Sequence, residues 1–568
     1  MKESVSRRDF VRGAAASLGA ATLGTAALGL VGCDTKEPTP DPIPEWMPKA
    51  WEAEADVIII GAGGAGLSAG ITMAYEDLGS AIILEAAPEG HEGGNSRVCA
   101  QILFIPDDVR GAIAYQTTLN ESYEVEPELI EAWATQLVQS VEWLNKLGAN
   151  LGTVPLFSPE FPGFPGSENA KTYCVNGGMG GLGRSQAWQF LRDTADDNKV
   201  EIRFSHRVVD LVFNPATKEV VGVKTEDGRA FKAKKAVIMS CGGFENSPEY
   251  MKTYFPIGYP GTGFIGSPYN RGDGIHMAHD IGAALWHMNN FAGPYFGTRT
   301  ISDSVFPGDL SKANVITYNP AFGGKDFIFL GADGKRHMNE DTFAQARHGK
   351  VKRGGVYVTS PNPSPGWCII GPKTFAASNI YGGAGTINCW AGIFGINQAD
   401  TNQNAVDKGV FVKCTNASDI ARVTGIDAAA IEKTITTWNT YCDDGYDPDY
   451  HRGEPYYDTV GTHGGSAADE SKPVIDAYPI ERLEAPYYVF SLVGGVLNSQ
   501  GGPKRNKFGQ IVDTRGNGIP RLYGSGEFGT IYSYQYNGGG NFSEAISSGR
   551  FAARNAAQLS TWDEDTEE

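Results

Sequence analysis

The stretch ADVIIIGAGGAGLSAGITMAYEDLGSAIILEAA, residues 55–87, constrains the fold more than any other part of this chain. Val57 to Ile60 form an uninterrupted apolar run, the pattern of a parallel strand buried on both faces. Gly61, Gly63 and Gly66 follow as G-x-G-x-x-G, with Gly64 and Ala65 between them, where strand must give way to helix. A second apolar run ends in Glu85, nineteen residues beyond Gly66. Each residue has a physical task. Gly61 makes the tight turn, Gly63 lets backbone N–H groups approach a pyrophosphate, and Gly66 lets helix and strand pack closely. The helix N-terminus adds partial positive charge. Glu85 can accept hydrogen bonds from an adenosine ribose, and an acid there disfavours a 2′-phosphate. Strand, glycines, helix and carboxylate in register define a dinucleotide-binding unit.

A few residues later comes GHEGGNSRVCAQ. Gly93, Gly94, Asn95 and Ser96 form a small-residue loop. It can extend the pyrophosphate cradle toward a flavin, or be a plain surface turn; by themselves these residues leave both open.

The chain has 568 residues, enough for two or more structural units. Its net charge of −19 argues against nucleic acid and against an anionic membrane surface as binding partners. The N-terminal segment reads as targeting. Arg7 and Arg8, followed by Phe10 and a mild Ala/Gly/Leu run, resemble a twin-arginine export signal over residues 1–33. LVGC then places Cys33 as a lipid-bearing cysteine, the expected membrane anchor. Residues 34–53 read as a proline-rich tether, and residues 561–568 as an acidic tail. The other cysteines, at positions 99, 174, 241, 368, 389, 414 and 442, form no C-x-x-C. No haem or iron–sulfur site is expected, so electrons must come from another protein. The scattered histidines give no metal-ligand spacing, and no metal is expected.

Several further motifs, AVIMSCGGFENSPEYM, NRGDGIHMAHDIGAAL, GKRHMNED and LYGSGEFG…YNGGGNFSEAISSGR, accompany the fingerprint and GGNSR. In order and spacing the chain resembles the flavoproteins related to fumarate reductase and succinate dehydrogenase, which include urocanate reductase and the 3-oxosteroid dehydrogenases. The resemblance implies an α/β fold. It implies a noncovalent FAD, and a Rossmann-like FAD domain in two chain segments, 54–285 and 456–560. An α+β capping domain over 286–455 is inserted between them. It implies FAD contacts at Ala86, Gly94, Asn95, Ser96, Val208, Gly242, Asp273, Glu527, Asn541 and Phe542, in addition to the fingerprint residues and Glu85. Within the cap, residues 427–445 read as a helix, with Ile431, Ile435 and Trp438 at helical spacing.

Near the C-terminus, Asn541 and Glu544 read as a capping box opening a helix. Gly538 to Gly540 then lie just ahead of its N-terminus, which the resemblance aims at the flavin pyrimidine ring. There bare backbone and its N–H groups would face the ring. Tyr532, Tyr534 and Tyr536 alternate, as on one face of a strand, or else form a substrate platform with one phenol as acid. Three positions depart from the fumarate reductase pattern. The proton-donating arginine falls on Ala344, with Arg347 one turn on as a substitute. The substrate-binding histidine falls on Asn498, and the carboxylate-clamping arginine on Asn537. Neutral amides in place of cations disfavour dicarboxylates and favour a larger uncharged substrate, with Tyr318 in the cap as a further candidate. The expectation is an exported FAD oxidoreductase that reduces an activated C=C bond. Its electrons would come from a membrane cytochrome or quinol-linked partner. A steroid-type dehydrogenase running oxidatively and a non-catalytic flavin-bearing electron-shuttle or ligand-binding lipoprotein are the alternatives.

Overall fold

The computed structural model describes residues 43–154, 158–177, 186–255, 267–292, 295–299, 315–318, 325–340, 346–348, 350–353, 356–359, 366–377, 379–380, 401–452 and 480–563. The export signal, Cys33, Ala344 and residues 564–568 lie outside these, as do the side chains of Tyr318 and Arg347.

The fingerprint run is strand β1 (Ala53–Ile60), followed by helix α1 (Gly64–Tyr75) and strand β2 (Ala81–Leu84). The same sheet gains β3 (Glu201–Arg203), β4 (Val208–Phe213), β5 (Val220–Thr225), β6 (Ala230–Met239), β7 (Gln510–Val512) and β8 (Gly518–Gly524). The main order is β7-β8-β6-β1-β2-β3, with β4 and β5 attached through β6. From β8 to β3 every neighbour is parallel.

Both faces of this sheet are covered, which is why β1 is apolar at successive positions rather than at alternate ones. Ile58 and Ile60 enter one core with Phe231, Val237 and Met239. Val57 and Ile59 enter the other with Ala69, Trp188 and Ile546. The second core includes the C-terminal helix α2 (Gly540–Ala557), which lies on α1. Their approach is so close that a Cβ at Gly549 would sit 2.2 Å from the Ala65 carbonyl oxygen. The C-terminal segment therefore returns to the first βαβ unit.

The register positions the site. Ile60 pairs with Leu84 on one side and Met239 on the other, and Met239 pairs with Gly524. Strands β2, β1, β6 and β8 thus end at one level. The loops that follow them gather along one edge, where open parallel sheets hold ligands.

A second, antiparallel sheet runs in the order Val315–Tyr318, Tyr295–Arg299, Tyr487–Gly495, Gly366–Ile370, Phe327–Leu330, with Val412–Cys414 also on the 487–495 strand. The expected helix lies at Ala428–Asp444 and buries Ile431, Ile435 and Trp438 against this sheet. The expected cap boundary at residue 455 requires correction. The strand at 487–495, placed by sequence in the second FAD segment, is central to the cap sheet. Apolar patterning marks it as a strand, but only hydrogen-bond partners reveal which sheet it joins.

Candidate active site

At the shared strand edge, the Gly61 N–H bonds the Leu84 carbonyl at 2.8 Å and closes the tight turn. Gly66 is excluded from any substitution by packing, since its Cβ would stand 1.8 Å from the Gly61 oxygen. Glu85 is buried, and its two oxygens accept the Ala62 N–H at 2.6 Å and the Ala87 N–H at 2.8 Å. Burial pushes its carboxyl up from the ordinary range, opposed by these backbone bonds and by Ala86. Each oxygen keeps a further lone pair for a ribose hydroxyl. Ser96 accepts the Gly64 N–H at 3.0 Å, which joins the GGNS loop to the fingerprint.

Asn95 joins two buried acids. Its amide donates to Glu245 at 2.8 Å and to the Glu527 oxygens at 3.0 and 2.9 Å, while its oxygen accepts the Ser267 N–H. Asn270 and Ser499 complete the shell around Glu245. Asn498 bonds both Glu527 and the Ser499 carbonyl. Burial pushes both carboxyls up, and the nearby Glu245 and Glu544 charges push Glu527 up further.

Asp273 begins a short helix and is paired with Arg207 at 2.6 Å, next to Val208. The Val208 side chain is in the core, leaving only its backbone for a ligand. Gly242 is fixed at φ +69 against the Asn270 amide. Phe542 packs in the second core, its ring against Gly64.

These residues fit a dinucleotide on three grounds. A Cβ at Gly94 would meet nothing within 4 Å, and one at Gly63 would make only ordinary contact, 3.7 Å from the Gly93 oxygen and 3.8 Å from Ser96, so neither backbone is crowded by the chain. The Asn541 side-chain oxygen is buried and meets no donor among the described residues, as suits a ligand that carries one. The loop ends that carry these groups share one sheet edge.

Around the C-terminal bend, the structure corrects four expectations. First, residues 530–537 form no strand; all eight are buried. Tyr532 and Tyr536 stack at 5.1 Å, while Tyr534 stacks on Tyr123 at 4.8 Å. Alternation in the sequence marks two separate aromatic stacks in an irregular segment. Second, Asn541 and Glu544 form no capping box. The N-cap is Gly539, at φ +87, without a side-chain bond, and Glu544 is drawn to Arg505 instead. Third, the glycines are required by the protein itself: a Cβ at Gly540 would lie 2.8 Å from the Tyr532 hydroxyl, and one at Gly539 would meet the Ile102–Phe104 strand at 3.0 Å. Fourth, two of the N–H groups assigned to the flavin are used internally. That of Gly538 bonds the Glu160 carboxylate and that of Gly540 bonds the Asn537 carbonyl.

Asn537 is fully buried, its side-chain oxygen held by the Tyr115 hydroxyl and the Glu160 N–H, each at 2.9 Å. His348 lies against Tyr536 with ring centroids 3.9 Å apart, and its Nε2 is 3.5 Å from Glu160. Lys350 is buried beside them. Its amine donates to Asn290 at 2.7 Å and to the His348 carbonyl at 3.0 Å, and burial pushes it down to about 7. Arg347 pairs by backbone with Lys350 in the same hairpin. Sequence reasoning passed over Glu160, Glu245, His348 and Lys350. The motif GGFEN carried a signal for Glu245 alone; the other three reach the site only through long-range folding.

A doubly covered parallel sheet with a dinucleotide cradle at its carboxyl edge defines a dinucleotide-binding fold, and the chain's relatives make it an FAD-dependent oxidoreductase acting on CH–CH groups. The chain belongs to the family described as FAD binding domain, whose profile matches residues 56–543. It is 23% identical to the digoxin reductase of Eggerthella lenta, over 99% of each chain. Its fold is similar to that of the 3-ketosteroid delta1-dehydrogenase from Sterolibacterium denitrificans (TM-score 0.66, 19% identity, 89% of this chain and 99% of that one). It is also similar to the open conformation of a flavocytochrome c3 fumarate reductase (TM-score 0.61, 21% identity, 89% and 79%). Relatives of the fumarate reductase type act on C=C bonds of small molecules and draw on electron-transfer partners such as cytochromes.

Proposed function

We propose that this protein reduces an activated C=C bond in an uncharged, aromatic or steroid-like substrate. It works outside the cytoplasm, held to the membrane by a lipid on Cys33 and supplied with electrons by a membrane cytochrome or quinol-linked partner. The carrying observation is the state of Asn537 and Asn498. Both are buried neutral amides already bonded within the chain, at positions where a dicarboxylate reductase needs cations. Dicarboxylate binding without those charge-assisted bonds forfeits several kcal/mol. The similarity to digoxin reductase supports a polycyclic lactone or enone as the substrate class.

Bound FAD supplies a two-electron transfer to one alkene carbon. The chain's residues do the rest: the fingerprint, Glu85 and the Asn95 network hold the cofactor.

Anaerobic protein loaded with FAD and reduced by viologen dye tests this reading. Reoxidation by uncharged enones and unsaturated lactones, with none by fumarate, is expected. Reoxidation by fumarate alone, or flavin bleaching by a saturated steroid, overturns it. Cell fractionation with and without Cys33→Ala checks the anchor; identical membrane recovery rejects it.

A further inference from the structure

The resemblance places the expected proton-donating arginine at Ala344. A few residues on, the hairpin carrying His348 and Lys350 brings both side chains to the α2 bend. His348 is buried with its ring against Tyr536, and its Nε2 faces Glu160 across 3.5 Å. Glu160 is in turn fixed at the bend, since its carboxylate takes the Gly538 N–H and its own N–H bonds Asn537. Lys350 ties the hairpin down through the His348 carbonyl and Asn290, and Asn290 bonds the Tyr532 carbonyl at 2.8 Å. An imidazole between an aromatic ring and an orienting carboxylate is the arrangement of a general acid.

We propose that His348, oriented by Glu160 and seated on Tyr536, delivers the proton that completes C=C reduction. This rests on the reductase reading above. One alkene carbon takes the hydride equivalent from the cofactor, and the π pair extends to the other carbon. There it forms a C–H bond with the imidazolium proton. The N–H bond breaks, leaving neutral imidazole, which regains a proton from solvent before the next turnover. Glu160 favours the imidazolium form. Among the described residues, the other charged or titratable groups around this cluster include Tyr536, Tyr532, Tyr534, Tyr115 and Lys350, with Glu121 acting on Lys350.

The test separates proton delivery from electron entry. In anaerobic stopped-flow experiments, His348→Gln should accept electrons from viologen at the wild-type rate. Its reoxidation by the enone that wild type reduces fastest should slow at least a hundredfold. Glu160→Gln should move the alkaline fall of the reoxidation rate to lower pH. In His348→Gly, added imidazole should restore reoxidation. Reoxidation of His348→Gln within threefold of wild type, or loss of both half-reactions with no imidazole rescue, overturns the proposal. A readout without turnover stands beside these. In FAD-loaded protein carrying carbon-13 histidine, with the His348 signal identified by its loss in His348→Gln, Glu160→Gln should lower the pH at which that ring gains its proton. An unchanged midpoint overturns the pairing whatever the substrate. Failure of wild type to reduce any enone, with this midpoint shifted, instead counts against the reductase reading.

Discussion

The Tyr115 hydroxyl donates a 2.9 Å hydrogen bond to the Asn537 side-chain oxygen, at the position where a carboxylate-clamping arginine is expected. The same oxygen accepts the Glu160 N–H. Replacing Asn537 with Ala strips two buried donors of their acceptor and should cost about 2–4 kcal/mol. Asn537→Arg has no room for its side chain and should lower stability further without conferring fumarate reduction. Urea melts of both variants check this; a loss below about 1 kcal/mol for Asn537→Ala would mean the amide has no structural role.

Gly63 and Gly66 should fail differently. At Gly63 the backbone is extended (φ −71, ψ −176), and a Cβ would make only ordinary contacts at 3.7 and 3.8 Å. Gly63→Ala should leave the FAD-free protein within about 1 kcal/mol of wild type, because an Ala adopts that backbone freely. Its FAD affinity should fall at least tenfold. At Gly66 the Cβ collides with the Gly61 carbonyl, so Gly66→Ala should damage the fold itself. Flavin titration alongside thermal melts distinguishes the two. Unchanged FAD affinity in Gly63→Ala would displace the cradle from that loop.

The Glu245–Glu527 pair predicts a pH dependence. Burial raises both carboxyls in the folded state, so between the ordinary carboxylate range and the raised values the native chain holds more protons than the unfolded one. Stability of FAD-free protein should therefore fall as pH rises through that window. Glu245→Gln should flatten the fall and raise the melting temperature at pH 7. Parallel melting curves for wild type and variant from pH 5 to 8 would show that the pair carries no such cost.

Lys350 works with the opposite charge sign but the same slope logic. Its folded value of about 7 lies below the ordinary 10.5, so the unfolded chain binds the extra proton between them. Its contribution to stability should rise with pH across that window, and the penalty is full below about 7. Lys350→Met should be more stable than wild type at pH 6, by a few kcal/mol, with the difference shrinking by pH 9. A pH-independent difference between the two would place the amine in water rather than in the core.

How much was legible varies by residue. Gly61, Gly63, Gly66 and Glu85 announce themselves, because a βαβ turn needs those residue types at fixed local spacing. The helix at 428–444 is legible for the same reason: Ile431, Ile435 and Trp438 repeat at its own period. The tyrosines of 532–536 misled, since alternation reports periodicity and not the partner. Only packing sends Tyr534 to Tyr123 and Tyr532 to Tyr536. The strand at 487–495 joins the cap sheet for a like reason, as its ladder partners lie more than a hundred residues away in one case and about seventy in another.

By itself, then, the sequence determined the fingerprint and the family, both of which depend on residue type at short range. Only the tertiary structure decided that Glu160, His348 and Lys350 meet at one bend. No local rule encodes that meeting, because it depends on strand register and on buried groups finding partners across distant parts of the chain.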